Sequence, residues 1–190
     1  MFKNYNIQMR GVSPLLQHNN QCVNPLNPMK KKISSITSKR KKVDADYEEI
    51  ARLEFQSGLY LGRKGQPIIP ASNLRRMLIE GARKSKDGKQ FETGVSVLGD
   101  ADLDYEGPKE LEGLMERVDE FSWTTVVGNQ RSSIMRTRPR FEDWSVQFEI
   151  EVATDLVTDD MLDNALRHSS RIGICDGRAI GFGKFTYKID

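Results

Sequence analysis

Alternation of apolar and polar positions predicts strands at both ends of the chain and in its second half. Residues 5–12 place an apolar side chain at every second position near the start, the period of two that is typical of a half-buried strand. Residues 121–127 (FSWTTVV) and 145–152 (SVQFEIEV) are rich in β-branched and aromatic residues and predict two more strands, with a turn at residues 128–133 (GNQRSS). Residues 183–189 (GKFTYKI) predict the last strand.

Apolar positions at helical spacing predict two amphipathic helices between these strands. The first follows Pro70 in the segment ASNLRRMLIEGARK, where Ser72 can cap the opening turn. Its apolar side consists of Leu74, Met77, Leu78 and Ala82. The second is TDDMLDNALRHSSRI, with Thr158 as its N-cap and Gly173 at its end.

Shorter elements and loops lie between these main ones. Asp46 as an N-cap with Glu49 three residues later is the pattern of a capping box, which predicts a helix over residues 47–57. A small hairpin turns at Lys64-Gly65, and a short helix follows Pro108. The segment LLQHNNQCVNPLNPMKKKISSITSKRKK is rich in Asn, Pro, Ser and Lys without a sustained period, and it predicts a long loop.

The core elements therefore follow the order strand, helix, strand, strand, helix, strand. This order predicts an α+β fold with a ferredoxin-like (RRM-type) antiparallel sheet, two helices and large insertions. We expect a single RRM-like domain over residues 1–190. Its insertions are a basic flap and hairpin over residues 13–70 and an acidic segment over residues 87–120.

Charge is distributed unevenly although the formal net charge is only +2 at pH 7. Residues 30–42 contain seven Lys or Arg and no acid, whereas residues 87–120 contain eleven acids against three bases. Cys22 and Cys175 have no C-x-x-C partner or histidine cluster, so we expect no disulfide, metal or cofactor. No signal-peptide segment or apolar run of membrane length is present, which predicts a cytoplasmic protein without a membrane partner.

Two basic groups are candidates for binding a phosphate backbone. The first is the basic run, of which the candidates are Lys39, Arg40, Lys41 and Lys42; its alternative role is that of a solvated loop. The second consists of Arg131, Arg136, Arg138 and Arg140, of which the last three share one face if the segment is extended. A salt-bridged edge facing the acidic segment is the alternative. Phe141 and Trp144 lie beside these arginines and can either stack on bases or pack into the core.

The glycine loop over residues 177–184 is a third candidate. Gly177, Gly181 and Gly183 permit either a tight turn into a hairpin or close approach of a ligand to the backbone. With Arg178 and Lys184, backbone amides of residues 180–183 would contact phosphate or sugar and position a strand without reading its sequence.

Catalytic residues are not indicated. His168 lacks a visible orienting partner. His18 is the better candidate, but a solvated loop histidine explains it more simply. Asp44 and Asp46 could hold a divalent ion, but Asp46 is explained more simply as a helix cap. No P-loop, zinc spacing or other catalytic motif is present. We therefore predict no catalytic residue, with a sequence-tolerant endoribonuclease that uses His18 or the Asp44/Asp46 pair as the alternative.

Three segments together resemble the repeat-associated mysterious protein superfamily, which supplies backbone subunits of CRISPR effector complexes and guide-processing endoribonucleases. They are the helix opening IIPASNLRRMLIEGAR, the helix DDMLDNALRHSSRIGI and the glycine loop GRAIGFGKF, in the order that the family has them. The chain departs from the family at Ala71, Asn73, Arg76 and Ile79. The family's RNA-cleaving aspartate has no clear match here.

The resemblance implies a subunit that binds single-stranded nucleic acid in a CRISPR-type or filament-like ribonucleoprotein of antiviral defence. RNA is expected and DNA is the alternative. It also implies that Ser72 and Arg75, with Arg76 beside them, contact phosphate, and that Gly181, Gly183, Arg178 and Lys184 do so from the glycine loop. Expected partners are RNA and copies of the chain or related subunits. A mobile-element protein that uses the fold to bind effector subunits is a further alternative.

Overall fold

The computed structural model describes residues 1–129 and 132–190. The strands are β1 (Phe2–Gly11), β2 (Leu15–Leu16), β3 (Ile68–Ile69), β4 (Val95–Val97), β5 (Ala101–Asp102), β6 (Asp104–Tyr105), β7 (Ser122–Asn129), β8 (Ser132–Phe141), β9 (Trp144–Ala153) and β10 (Phe185–Ile189). The α-helices are α1 (Pro28–Thr37), α2 (Asp44–Gly58), α3 (Ala71–Arg83), α4 (Gly88–Gly94), α5 (Leu111–Glu116), α6 (Val118–Phe121) and α7 (Asp159–Ile172). None of these described helices is long and apolar enough to cross a membrane.

The chain forms two compact units. The first contains residues Met1–Leu16, Leu61–Gly107 and Phe141–Asp190, and the second contains residues Gln17–Tyr60 and Pro108–Arg140. The first unit therefore contains the first and last strands of the chain. Each segment of the second unit follows one segment of the first unit and precedes the next along the chain.

The first unit is built on an antiparallel sheet in the strand order β10-β1-β9-β4, with β6 also paired to β9. Ile7 lies opposite Ile189 on one side and Phe148 on the other. This inward face is apolar because every second residue of β1 and β9 is buried. Helices α3 and α7 pack on each other and contact β4 and β10 respectively.

The opposite face of this sheet is polar and exposed. Its middle consists of alternate residues of the two central strands: Asn6, Gln8, Arg10, Ser145, Gln147 and Glu149. A two-residue period is sufficient to produce this division, since successive side chains of a strand point to opposite faces. Burial of the apolar face of this sheet stabilises the first unit through the hydrophobic effect.

The second unit contains the hairpin of β7 and β8 and the packed pair of helices α1 and α2. In the hairpin Trp123 lies opposite Arg138, and the hydroxyl groups of Thr124 and Thr137 lie 2.8 Å apart. The helices bury Ile33 in α1 and, in α2, a group that includes Leu53 and Phe55.

The predicted strand over residues 121–127 is confirmed as β7, but its expected place in the main sheet is wrong. Its strand, β7, pairs with β8 in the second unit, while β4, within the acidic segment, pairs with β9. Residues 95–97 are too short to give a recognisable period of two, which is why the sequence did not indicate them. The segment IMRTRPRFEDW, treated as a connection, supplies most of β8.

The segment over residues 15–42 is also more ordered than predicted. Asn27 accepts a hydrogen bond from the amide of Met29 at 2.8 Å and caps α1, whose first residue is Pro28. The helix over residues 47–57 is confirmed within α2, but Asp46 lies inside its first turn and accepts from the amide of Val43 at 3.1 Å.

The two main helices are confirmed, with one difference at their caps. Thr158 caps α7 through the amide of Met161 at 3.3 Å, as predicted. Ser72 lies within α3 and does not cap it, because the carboxylate of Asp100 accepts from the first helical amide, that of Ala71, at 2.8 Å. A distant residue therefore replaces the expected local cap.

A glycine allows α3 and α7 to approach closely, and it provides a test of this packing. A Cβ atom at Gly81 would lie 2.2 Å from the carbonyl oxygen of Ala165. Alanine normally favours a helix over glycine by about 1 kcal/mol, but overpacking costs about 1–3 kcal/mol. Because the clash is with a backbone oxygen, we expect the overpacking cost to lie at the upper end of this range and Gly81→Ala to lower the free energy of unfolding by about 2 kcal/mol in urea denaturation.

Gly99→Ala is the matched control, because a Cβ there has no other atom within 4 Å. We expect its unfolding midpoint to equal that of the wild type. A Gly81→Ala protein as stable as the Gly99→Ala protein would contradict the close packing of α3 on α7.

Candidate nucleic-acid interface

Helix α3 carries three of the predicted contact residues on its exposed side. Ser72, Arg75 and Arg76 are all exposed. Arg75 donates to the carbonyl oxygen of Glu92 at 2.5 Å, so its guanidinium group is held against the end of α4. This arrangement gives the outer face of the helix a fixed positive group at its first turn.

One carboxylate connects this helix to the glycine loop. Glu80 accepts a hydrogen bond from Arg76 at 2.9 Å, and its other oxygen accepts from Arg178 in the glycine loop. The structure therefore brings Arg76 and Arg178, which lie far apart in sequence, to the same group. Guanidinium groups offer five N–H donors, so each arginine keeps donors beyond those that Glu80 uses.

The environment of Glu80 favours its charged form. Burial raises the pKa of this carboxyl group, but the hydrogen bonds and charges of Arg178 and Arg76 outweigh burial and lower the pKa below its ordinary value of 4.5. Two grooves, of about 740 and about 580 Å³, adjoin here and share Glu80 and Arg83 in their walls. The residues that line the two grooves include more cations than carboxylates: Arg75, Arg76, Arg83, Lys84 and Arg178 against Glu80, Glu92 and Asp176.

The three glycines of the loop have different physical roles. All three have positive φ angles, of 67° at Gly177, 98° at Gly181 and 70° at Gly183. A Cβ at Gly183 would lie 2.1 Å from the carbonyl oxygen of Ile174, whereas a Cβ at Gly181 would have no other atom within 4 Å. Gly183 is therefore required by packing within the chain, and Gly181 leaves open space beside the backbone.

The backbone amides of the loop are already hydrogen-bonded. Those of Ile180 and Phe182 donate to Gly177, that of Gly181 donates to Arg178, and that of Gly183 donates to Pro14, over 2.8–3.2 Å. In this conformation they are not free for phosphate, so the expected amide contacts over residues 180–183 are wrong. The tight-turn interpretation describes the backbone, and the charged side chains remain as ligand contacts.

Lys184 extends from the end of the loop into solvent. Its amide donates to the hydroxyl group of Ser13 at 2.9 Å, and its carbonyl oxygen accepts from the amide of Val12 at 2.8 Å. The backbone is thus anchored while the side chain is exposed. Within the described residues its ammonium group forms no ion pair.

In the second unit, three of the four predicted arginines share one face, as the sequence indicated. Arg136, Arg138 and Arg140 are half-buried and alternate along β8 with the buried Thr137 and Pro139. Arg131 lies outside the described residues. The extended backbone thus places three guanidinium groups on one side of the strand.

Arg136 is held by a carboxylate that the sequence analysis missed. Glu54 in α2 accepts from the guanidinium group of Arg136 and from the amide of Thr137 at 2.9 Å. The side chain of Glu54 is only 10% exposed. The salt-bridge alternative is therefore correct for Arg136, although the partner lies in α2 and not in the acidic segment.

The aromatic residues beside these arginines belong to the core. Phe141 is fully buried and packs edge-on against Tyr105, with ring centroids 4.7 Å apart. Trp144 is also buried, and its indole N–H donates to the carbonyl oxygen of Ser13 at 2.9 Å. Neither ring is available for base stacking.

The basic run is divided between a helix and the segment after it. Lys30, Lys31 and Lys32 lie in α1. Of the residues that follow it, Lys39, Arg40 and Lys41 are exposed and Lys42 is half-buried. Lys39 forms an ion pair with Asp46 at 2.6 Å, and this contact, with the Val43 amide, lowers the pKa of Asp46. Most of the run thus remains available to solvent or a ligand.

Several atoms of the candidate catalytic residues are engaged by other groups of the chain. Asp46 is already used by Lys39 and Val43, and the backbone carbonyl of His18 accepts from the hydroxyl group of Tyr60 at 2.8 Å. His168 is half-buried on α7. Among the described residues no group of three or more His, Cys, Asp or Glu could hold a metal ion. Burial raises the pKa of the Cys175 thiol to about 12, which keeps it protonated and unreactive.

The lowered pKa of Glu80 predicts a pH dependence. Its contribution to stability is complete above pH 4.5, the unfolded-state value, and is lost as the pH falls through the lower folded-state pKa. We therefore expect the melting temperature of wild type to exceed that of Glu80→Gln by a constant amount between pH 8 and pH 5.5, with the difference shrinking below pH 4.5.

Glu120→Gln is the control for this titration. Glu120 pairs with Arg117 at 2.5 Å on an exposed surface, where ion pairs contribute little. We expect its melting temperature to stay close to that of the wild type throughout. A Glu80→Gln difference that is the same at pH 7 and pH 3 would contradict the assigned role of Glu80.

Solved structures with a similar fold were found for this chain, whereas the two sequence comparisons found no match. No protein-family model and no curated protein sequence matches the chain. The fold is similar to that of a chain in a cryo-EM structure of the type III-B Cmr-beta bound to cognate target RNA, with a TM-score of 0.58 and 11% identity. The match covers 100% of this chain and 60% of that one, so the chain spans about three fifths of its length.

A crystal structure of Cmr4 also matches, with a TM-score of 0.46 and 10% identity over 99% of each chain. The predicted resemblance is confirmed at the level of the fold: this chain shares with the matched chain of the Cmr-beta structure a mixed α and β fold with antiparallel sheets.

Proposed function

We propose that this chain binds single-stranded RNA as a subunit of a CRISPR-type ribonucleoprotein and holds the sugar–phosphate backbone without reading sequence. The observation that carries the proposal is the arrangement of Arg75, Arg76 and Arg178 around Glu80 and Glu92 on one surface of the first unit. Guanidinium groups suit phosphate because their planar donors can contact two oxygens at once.

The carboxylate at the centre of this surface supports binding by fixing its arginines. An arginine side chain loses considerable rotamer freedom when it is immobilised on a ligand. Glu80 already restricts Arg76 and Arg178 in the folded chain, so part of this loss of side-chain entropy has occurred before RNA binds. The remaining net positive charge attracts phosphate, and contacts to phosphate position a strand without specifying its bases.

The polar face of the main sheet supports backbone recognition over base stacking. RNA-recognition sheets stack bases on aromatic side chains of their central strands. Here the corresponding central positions hold residues such as Gln8, Ser145 and Gln147. The proposal therefore places RNA on the side chains of α3 and the glycine loop, with Lys184 as a further contact.

The structural comparison supports RNA as the ligand and a multisubunit assembly as the setting. The matched Cmr-beta structure is described as bound to cognate target RNA. From this we propose RNA in preference to DNA, and copies of the chain or related subunits as neighbours. The basic residues Lys39, Arg40, Lys41 and Lys42 and the arginines of β8 would extend the contact.

We also propose that the first unit is a ferredoxin-like domain and that the protein acts in the cytoplasm. The strand order β10-β1-β9-β4, with α3 and α7 as the connecting helices, supports the fold assignment. In this description one domain spans residues 1–190, with residues 13–70 as one insertion and residues 87–120 as a second excursion whose strand β4 belongs to the sheet itself.

The test is RNA binding as a function of salt concentration, measured by fluorescence anisotropy with labelled single-stranded RNAs of several sequences. For single strands the slope of log K against log salt falls by about 0.7 for each phosphate contact removed. We expect Arg75→Ala and Lys184→Ala each to weaken binding of all sequences alike and to reduce the slope by about 0.7.

Arg117→Ala is the matched control, because Arg117 is also an exposed arginine paired with a glutamate. Its slope should equal that of the wild type. Equal slopes for all three variants would contradict this interface. Absence of binding at low salt would favour a protein that binds effector subunits only, and RNA cleavage lost in His18→Ala or Asp46→Ala would favour the endoribonuclease.

A further inference from the structure

The second unit contains a cleft of about 270 Å³ whose walls are fixed by hydrogen bonds within that unit. One wall is the loop over residues 18–23. Asn19 donates from its backbone to Gly58 at 3.0 Å and from its side chain to Leu59 at 3.1 Å. Gln21 donates from its side chain to the carbonyl oxygen of Ser57 at 2.7 Å. The loop is thereby bound to the end of α2 at several points.

The opposite wall is the strand β8, held by its own partner. The buried carboxylate of Glu54 accepts from Arg136 and from the amide of Thr137, both of which line the cleft. Both walls are therefore formed before any ligand arrives. A preformed site avoids the entropic cost of ordering its side chains on binding.

The charge of the cleft is positive. Lys30, Arg136 and Arg138 line it, and Glu54 is the carboxylate among its lining residues. Cations therefore outnumber carboxylates by three to one among the residues that line the cleft. The half-buried Lys30 forms no ion pair with any residue that the structure describes. A half-buried cation of this kind favours an anionic ligand.

The size and composition of the cleft limit the ligand further. Sites for whole small molecules usually occupy about 300–1,000 Å³, so this cleft has room for little more than one phosphate and the group attached to it. Besides its cations it offers the side-chain amide of Asn20 and the apolar side chain of Ile33. An amide can hydrogen-bond a base edge, and an apolar surface can contact a base plane.

We infer that this cleft binds one nucleotide of a single-stranded RNA, with its phosphate at Lys30 and Arg138 and its base toward Asn20 and Ile33. The inference rests on the proposed function and adds a defined subsite to it. Lys30 is thereby assigned to binding, although it lies in the helical part of the basic run.

A thiol in the wall provides a direct probe of occupancy. Cys22 lines the cleft, and both it and Cys175 are partly accessible. Burial raises the pKa of Cys175 to about 12, so its smaller thiolate fraction makes it react more slowly. The full-length protein is treated with a maleimide, with and without a ten-nucleotide oligouridylate, and peptide mapping by mass spectrometry gives the rate at Cys22. At ten times the Kd of the RNA, we expect the rate to fall about tenfold.

A pair of lysine variants tests the phosphate contact. Lys30→Ala removes the cation in the cleft, and we expect about tenfold weaker oligouridylate binding, the loss of one charge-assisted contact. Lys32→Ala makes the same charge change at an exposed position of α1 that does not line the cleft. We expect it to weaken binding much less than Lys30→Ala does.

The outcomes separate this subsite from the proposed function. If the wild-type protein binds the oligouridylate but the maleimide rate at Cys22 does not change, the cleft is not a nucleotide subsite, while the proposed function stands. Equal effects of Lys30→Ala and Lys32→Ala likewise overturn the contact at Lys30. Absence of any RNA binding overturns both the proposed function and the subsite.

Discussion

Antiparallel pairing of β1 with both β9 and β10 is the constraint on which the first unit depends. The register places Ile7 between Phe148 and Ile189, so residues from both ends of the chain share one buried face. The same pairing brings the residues that follow β1 to the glycine loop, where Pro14 accepts from the amide of Gly183. Loss of this pairing would remove both the core and the support of the loop.

The charged surface follows from the same packing. Helix α3 packs on α7, and α7 leads directly into the glycine loop, so Arg178 reaches the helix that carries Arg76. Glu80 lies between them and holds both guanidinium groups. The second unit repeats this principle, since Glu54 holds Arg136 on β8. In each unit a partly buried carboxylate fixes an arginine at the edge of a groove or cleft.

Sequence reasoning identified the long periodic elements because their patterns are local. It found β1, β9, α3 and α7 and the extended face of Arg136, Arg138 and Arg140, all of which depend on spacing within one segment. It assigned β7 to the wrong sheet because strand pairing is set by the fold and not by the propensity of the strand. It missed Glu54 for the same reason, whereas the i,i+4 spacing of Arg76 and Glu80 was visible in the sequence. The hydrogen bonds of the amides in the glycine loop could not be predicted from the sequence, because their acceptors include Pro14, which is distant in sequence.

The most direct test of the account is ultraviolet cross-linking of single-stranded RNA to the intact protein, with the cross-linked peptides mapped by mass spectrometry. The account predicts cross-links to peptides of α3 and of the glycine loop, and none to the polar outer face of β1 and β9. Cross-links confined to that outer face, for example at Gln8 and Gln147, would contradict it.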